Sequence, residues 1–345
     1  MKLIRYLLIF IFSLIWIAGC SPDILSFLYK NRWIPDDYRY GDLYRLSNLE
    51  AFKEPQQACD SPVLPEKPAT LKKNVHLYVI GDSFLEPQRV GKADFIADQY
   101  QYIHWSKVMH INPDTSAINL LIIESVERHL RENLATPISN LVADTAEFFP
   151  EPAKPRFMVR MDQAFSSEKT EERLSTILFE FSPFLALKEL KAAFNWHIFD
   201  RVNDKVAVSD NKSNIVYYLD TDSTLITSSF NEVTNNEIDQ LVENLNLSAE
   251  QLKKIGFDEV ILSVIPNKTT VLIPDYGRYN HLIQRIQEHQ NLSVEYLDIL
   301  QDFRSMGTTA YLQGDSHWTC EGQHRWLLKV NDNLIRIAEK KQLQL

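Results

Sequence analysis

The sequence predicts an α/β protein built on a mostly parallel sheet, and three runs of residues carry that expectation. Val75–Ile80, Ile118–Glu124 and Glu259–Ile265 are short and dense in β-branched and aliphatic side chains, without the polar alternation of a strand that has one wet face. Strands of a parallel sheet read this way, because crossover helices bury both of its faces. Helical patterns lie between the runs, and each run gives way to polar residues: Gly81-Asp82-Ser83, Glu127-Arg128 and Pro266-Asn267-Lys268. In an open α/β sheet that carboxyl edge is where ligands bind.

The N-terminus sets the compartment. Lys2 and Arg5 give a positive start, Leu3 to Ile17 is almost unbroken apolar sequence, and Ala18-Gly19 places small residues before Cys20. This is the pattern of an export signal, so residues 1–19 are expected to be removed rather than to join the fold. The run Ile17-Ala18-Gly19-Cys20 also resembles a bacterial lipobox, whose cysteine is lipidated and becomes the mature N-terminus. Acyl chains that each add about 0.8 kcal/mol per buried methylene would hold the chain on a bilayer. The alternative, a retained membrane helix, has a run barely long enough to span. Ser21, rather than an acidic residue, follows the cysteine, which in Gram-negative sorting favours the outer membrane. The expected location is the bacterial cell envelope, lipid-anchored and facing the periplasm.

Residues 20–73 carry Pro22, Pro35, Pro55, Pro62, Pro65 and Pro68 and read as a lipidated tether and irregular lead-in. Residues 74–142 form the first part of the sheet domain, with a helix from Val126 toward Leu134. Between 143 and 233 the texture changes to a long amphipathic helix from Glu171 to about Phe199, despite Pro183, and a β-hairpin of Lys205–Val208 with Ile215–Leu219 around Asp210. This reads as an inserted helix-plus-hairpin subdomain or cap. Residues 234–345 resume the domain. A polar helix Asn235–Lys254 buries Leu241, Leu245 and Leu252. After the strand Glu259–Ile265 come a helix Tyr279–His289, a strand Ser293–Leu297, a lead-in Ala310–Leu312 and a closing helix after Glu321.

A net charge of −10 argues against a nucleic-acid partner, which needs a basic face for phosphates. Of three cysteines, Cys59 and Cys320 remain after Cys20. In an oxidising compartment they either pair, tying the lead-in to the loop beside His317, or lie buried separately. Their spacing suits no metal site, and no metal or cofactor is expected.

Two segments carry candidate chemistry. Ser83 follows a strand, where a tight turn can present its hydroxyl and the following helix can aim backbone N–H groups at an oxyanion. The plainer reading is a helix cap by Asp82 or Ser83. In Asp315-Ser316-His317-Trp318 the acid and imidazole are two residues apart, so the carboxylate can reach one ring nitrogen while the other faces a serine. Ser83 would be the nucleophile, His317 the general base and Asp315 its orienter. Trp318 either walls the site or packs in the core, and His324 reads as a surface or structural residue.

With these residues in place, the chain resembles the SGNH (GDSL-type) hydrolase superfamily. Within it the wording is similar to the alginate O-acetyltransferase-like branch, with its Gly-Asp-Ser-Phe and Asp-x-His-Trp-Thr blocks. The likeness rests on Gly81–Phe84, Ile122-Ile123-Glu124 with Glu127-Arg128, Pro266-Asn267-Lys268 and Asp315–Gly322, and leaves 143–233 unmatched. In the alginate branch the Asp-x-His-Trp block precedes the serine block, whereas here it follows, which is the order of the superfamily at large. The resemblance implies a flavodoxin-like α/β/α sandwich with Ser83, His317 and Asp315 as a triad on its rim. It also implies an oxyanion hole completed by residues of other blocks, for which Asn267 and Arg128 are candidates. Arg128 reads equally well as an ion-pair partner of a nearby acid, and Asn267 as a turn residue after Pro266.

The function expected from these readings is a lipid-anchored serine esterase or O-acyltransferase. Its substrate would be an acyl ester or acetylated glycan at the cell surface, worked on within an export or polysaccharide-modification complex. The rivals are a non-catalytic glycan-binding or scaffold lipoprotein of the same fold, and a lipase or thioesterase lidded by the insertion.

Overall fold

The computed structural model describes residues 2–31, 33–34, 40–55, 58–143, 170–179, 182–209 and 211–344. The chain falls into two compact units, one of Met1–Gln56 with Phe148–Asn203 and one of Gln57–Glu147 with Asp204–Leu345.

The larger unit is organised by a five-stranded sheet of β1 (Val75–Gly81), β2 (Gln99–His104), β3 (Ile118–Val126), β4 (Glu259–Ile265) and β5 (Glu295–Leu297). Its order is β2-β1-β3-β4-β5, and every pairing is parallel. All strands therefore run out at one carboxyl edge. Alternate side chains face opposite sides, as the period of two requires. Leu77, Val79, Leu120 and Ile122 pack with Trp326, Leu327 and Val330 of the helix Cys320–Gln344. Tyr78, Ile80, Leu121 and Ile123 pack on the other face with Leu241, Val242 and Leu245 of the helix Asn235–Lys254. Each fully buried aliphatic side chain contributes about 2 kcal/mol, so both helices are held chiefly by these layers.

Four strands lie where the apolar runs place them; β2 does not announce itself. Gln99-Tyr100-Gln101-Tyr102-Ile103-His104 is an edge strand whose glutamines are exposed, and its polar alternation hides it among loop residues. The hairpin Val206–Val208 with Ile215–Tyr217 is antiparallel, as expected, and belongs to this unit; Asp210 lies outside the described residues. A small parallel pair, Met109–Ile111 with Leu141–Ala143, completes the strands described. The helix expected over Tyr279–His289 is confined to Leu282–Gln287. Asn280 explains the late start, because its Oδ1 accepts from Leu282 N (3.0 Å) and its Nδ2 is drawn away to Ser228 O and Asn231 O. His281 between them takes a left-handed backbone, φ 57°.

The smaller unit is helical. Lys2–Cys20 is a single helix, long and apolar enough to cross a membrane. Ser21 Oγ caps the following helix Pro22–Lys30 by accepting from Ile24 N, with Pro22 at the first helical position, where its missing N–H is harmless. The proline-rich lead-in thus contains ordered turns, including Asp42–Ser47. The single helix expected over 171–199 is two, Thr170–Phe179 and Ser182–Phe199. Pro183 falls in the first turn of the second, where a ring is tolerated and a continuous helix is not. Glu189 accepts from Tyr44 and from Lys53 (2.7 Å), and the Phe52 and Trp196 rings meet at 5.5 Å.

Candidate active site

Strand β1 delivers Ser83 through a tightly stapled turn. A Cβ on Gly81 would lie 2.8 Å from Glu124 Oε2, so a larger residue would push that carboxyl away from the end of β1. Asp82 then uses both carboxylate oxygens: Oδ1 accepts from Phe84 N (3.0 Å) and Oδ2 from Val126 N (2.8 Å). Its own N–H donates to Glu124 Oε2 (2.9 Å), and Tyr102 of β2 donates its hydroxyl to Asp82 O (2.8 Å). The capping duty therefore falls to Asp82, which leaves the Ser83 hydroxyl for another partner. Glu124 is fully buried; burial foremost, then the neighbouring Asp82 charge, holds its carboxyl well above the ordinary range.

That other partner is His317. Ser83 Oγ lies 2.8 Å from His317 Nε2, and His317 Nδ1 lies 2.6 Å from Asp315 Oδ1. The same Asp315 oxygen accepts from His317 N (2.9 Å), so the two-residue spacing closes a small ring that fixes the imidazole plane. Burial pushes the Asp315 carboxyl up, but the hydrogen bonds and charge of His317, with a weaker contribution from Arg89, outweigh it and hold Asp315 well below its usual range. The Phe84 ring packs 4.7 Å from the imidazole and closes its apolar side.

The loop bearing Asp315 and His317 is held from several directions. Leu312 N donates to His317 O (3.1 Å) and Thr319 N to Ala310 O (3.0 Å), folding the loop back on itself. The Lys268 ammonium, 1 % exposed, donates to the carbonyls of Leu312 (2.6 Å), Gln313 (2.9 Å) and Asp315 (3.1 Å). Ile215 N of the hairpin donates to Gln313 O (3.1 Å). Cys59 and Cys320 form a disulfide that ties the lead-in to the residue after Thr319. Trp318 lies in the core against Phe84, Phe303 and Trp326. Of the two readings offered for it, this geometry is that of core packing. His324 Nε2 donates to Asp60 O (2.6 Å), a structural tie.

Asn267 and Arg128, the sequence candidates for oxyanion donors, sit at the ends of β4 and β3 in a buried polar cluster. Asn267 Oδ1 accepts from Arg128 N (3.0 Å), its Nδ2 donates to Ser229 Oγ (3.0 Å), and its N–H donates to Glu127 Oε2 (2.9 Å). Arg128 pairs with buried Asp220 (3.3 Å). Glu127 also accepts from Thr270 (2.6 Å) and Tyr279 (3.3 Å); burial, with a smaller push from Asp220, raises its carboxyl to about 7 against those hydrogen bonds. Sequence reasoning did not give Lys268 or Glu127 these roles. A lysine or glutamate just past a strand reads as solvated, and only the three-dimensional convergence of carbonyls or hydroxyls reverses that.

Fold and site together define an α/β protein whose parallel sheet carries a Ser–His–Asp hydrogen-bonded chain at its carboxyl edge. Compared with protein-family models, with curated proteins and with solved structures, the chain finds no match.

Proposed function

We propose that this protein is a serine esterase or O-acyltransferase of the SGNH type, anchored in the bacterial envelope and acting on acyl groups, chiefly acetyl, of a cell-surface or exported glycan. The observation that carries this reading is the unbroken chain from Ser83 Oγ through His317 to Asp315, at 2.8 and 2.6 Å. The strand order β2-β1-β3-β4-β5 supports a flavodoxin-like sandwich, whose ligands sit at the carboxyl edge of the sheet. The order of the serine and Asp-x-His blocks along the chain agrees with the superfamily. The apolar N-terminal helix ending at Cys20 supports export and lipid anchoring, with the outer membrane favoured by Ser21.

In this reading Ser83 Oγ attacks the acyl carbonyl carbon while its proton passes to His317 Nε2, and the C=O pair moves onto oxygen. Asp315, kept ionised by its partners, stabilises the imidazolium. The Phe84 N–H is bonded to Asp82 Oδ1 and the Leu85 N–H to Asp82 O, so the Ser83 N–H, the first of the turn, is the one left to face the oxyanion. Collapse expels the alcohol, which takes the proton from His317, and leaves an acyl ester on Ser83. Water or a sugar hydroxyl then attacks that ester, with His317 again as base, and regenerates the serine.

The test is ester turnover by the full chain, comparing acetyl with long-chain acyl esters and water with sugar acceptors. Acetyl turnover that Ser83→Ala eliminates supports the proposal. Preference for long chains would move it to a lipase or thioesterase, and glycan binding without turnover would move it to a scaffold.

A further inference from the structure

The helix Ser182–Phe199 carries an apolar face that the protein does not cover. Phe184, Leu187, Leu190, Phe194 and Ile198, spaced three and four apart, share one side and are 46, 61, 66, 56 and 62 % exposed. The opposite side packs inward through Trp196 on Phe52 and Glu189 on Tyr44 and Lys53. A helix with large apolar residues on both sides is one that something covers on both sides. Phe179 of the preceding helix, 47 % exposed, extends the same kind of surface.

At the edge of this face lies a cleft of about 560 Å³ lined by Lys188, Lys191 and Arg201, with Asn48 and Asn195 and no carboxylate. Among the described residues none of these three cations takes part in an ion pair. In a chain of net charge −10, a basic pocket without an acid is selective for an anion. Lys188 and Lys191 reach it from the helix that bears the apolar face.

The same unit contains the apolar helix Lys2–Cys20. Arg173 of the helix Thr170–Phe179 donates to Gly19 O (2.6 Å), and Leu174 packs on Gly19. If residues 2–19 stay as a membrane helix, these contacts hold its end; if they are removed and Cys20 carries acyl chains, the chain enters the membrane one residue further on, at Cys20. The helix Thr170–Phe179 precedes Ser182–Phe199 in the same unit.

We propose that the helix Ser182–Phe199 lies in the surface of the anchoring bilayer, its Phe184–Ile198 face at the acyl boundary and its Lys188–Lys191–Arg201 cleft on the phosphate of an anionic phospholipid. An exposed apolar helix face with basic side chains beside it can lie at the acyl boundary with those charges on headgroup phosphates. The inference rests on the anchored reading of the N-terminus given above.

The full chain is reconstituted in vesicles of phosphatidylcholine, alone or mixed with phosphatidylglycerol, and flotation first shows whether it is anchored. Leu190→Cys and Phe194→Cys variants are then labelled with a membrane-impermeant maleimide beside a Glu250→Cys control. The expected result is labelling at 190 and 194 at least about tenfold slower than at 250, with slowing greatest in phosphatidylglycerol. Replacing Lys188, Lys191 and Arg201 with Gln should remove the anionic-lipid effect, roughly fivefold for each charge lost. Labelling at 190 as fast as at 250 in floated vesicles would overturn the inference. Protection that ignores lipid charge and the Gln variants would overturn the headgroup assignment, and protection confined to native membranes would give the face to a protein partner. Failure to float would defeat the anchored reading itself, and this inference with it.

Discussion

The ends of β1 and β4 lie on one edge of the same sheet and treat their polar side chains in opposite ways. Past β4, Asn267 meets Arg128 N, Ser229 Oγ and Glu127 in a closed set of bonds among fully buried groups. Past β1, Ser83 Oγ makes one bond, to an imidazole whose far nitrogen meets a carboxylate, and Ser83 itself is only partly buried. A closed set of bonds is a brace: every donor already has its acceptor. A line that begins at a partly exposed hydroxyl and ends at a carboxylate can move a proton. On the proposed reading, the difference separates structural from chemical residues on an edge where both kinds are polar and close together.

The largest effect expected from breaking the line is loss of turnover. Ser83→Ala should lower kcat by roughly 10⁵- to 10⁶-fold, and Asp315→Asn, which disturbs the His317 tautomer, by about 10⁴-fold, measured with acetyl esters. Thermal unfolding of Ser83→Ala should stay within about 0.5 kcal/mol of the parent, because the hydroxyl braces nothing. Asn267→Ala should behave in the opposite sense, costing about 4 kcal/mol of stability by denaturant titration, since it strands the buried Arg128 N–H and opens a cavity.

A smaller effect separates the two acids by pH. Glu127 is raised to about 7, so the folded state holds its proton more tightly than the unfolded chain. Its contribution is fully present below about pH 4.5 and is lost as the pH rises through 7, roughly 3 kcal/mol in all. Glu127→Gln should flatten the stability profile over that window. Asp315 is lowered, so its contribution is present above its unfolded value near 4 and is lost as the pH falls below it. Asp315→Asn should therefore change the acid limb; both profiles are read by urea titration.

How far the sequence reveals this contrast depends on the kind of group. The buried strands are legible because burial on both faces leaves an unbroken apolar run, and Glu259–Ile265 is found to the residue. The edge strand β2 is not, because its exposed glutamines break the apolar run. The Ser83, Asp315 and His317 line is legible because the proposed relay calls for those residue types, and Asp315 and His317 lie two residues apart. The brace is not: Asn267 looks as suitable for an oxyanion as for a turn until both ends of its amide are seen to be taken, Oδ1 by Arg128 N more than a hundred residues away and Nδ2 by Ser229 Oγ. Lys268 is hidden for the same reason, since nothing local tells a lysine that it will meet three carbonyls. Helix ends such as His281 depend on Asn280, whose side chain is drawn to Ser228 and Asn231 far upstream.

The central claim is that Ser83 is an activated nucleophile. A fluorophosphonate carrying a mass tag, incubated with the full chain and followed by peptide mass spectrometry, tests it directly. One adduct per chain on the peptide holding Ser83, lost in Ser83→Ala and slowed in Asp315→Asn, is the expected result. An unlabelled parent chain, or an adduct that persists in Ser83→Ala, would contradict it.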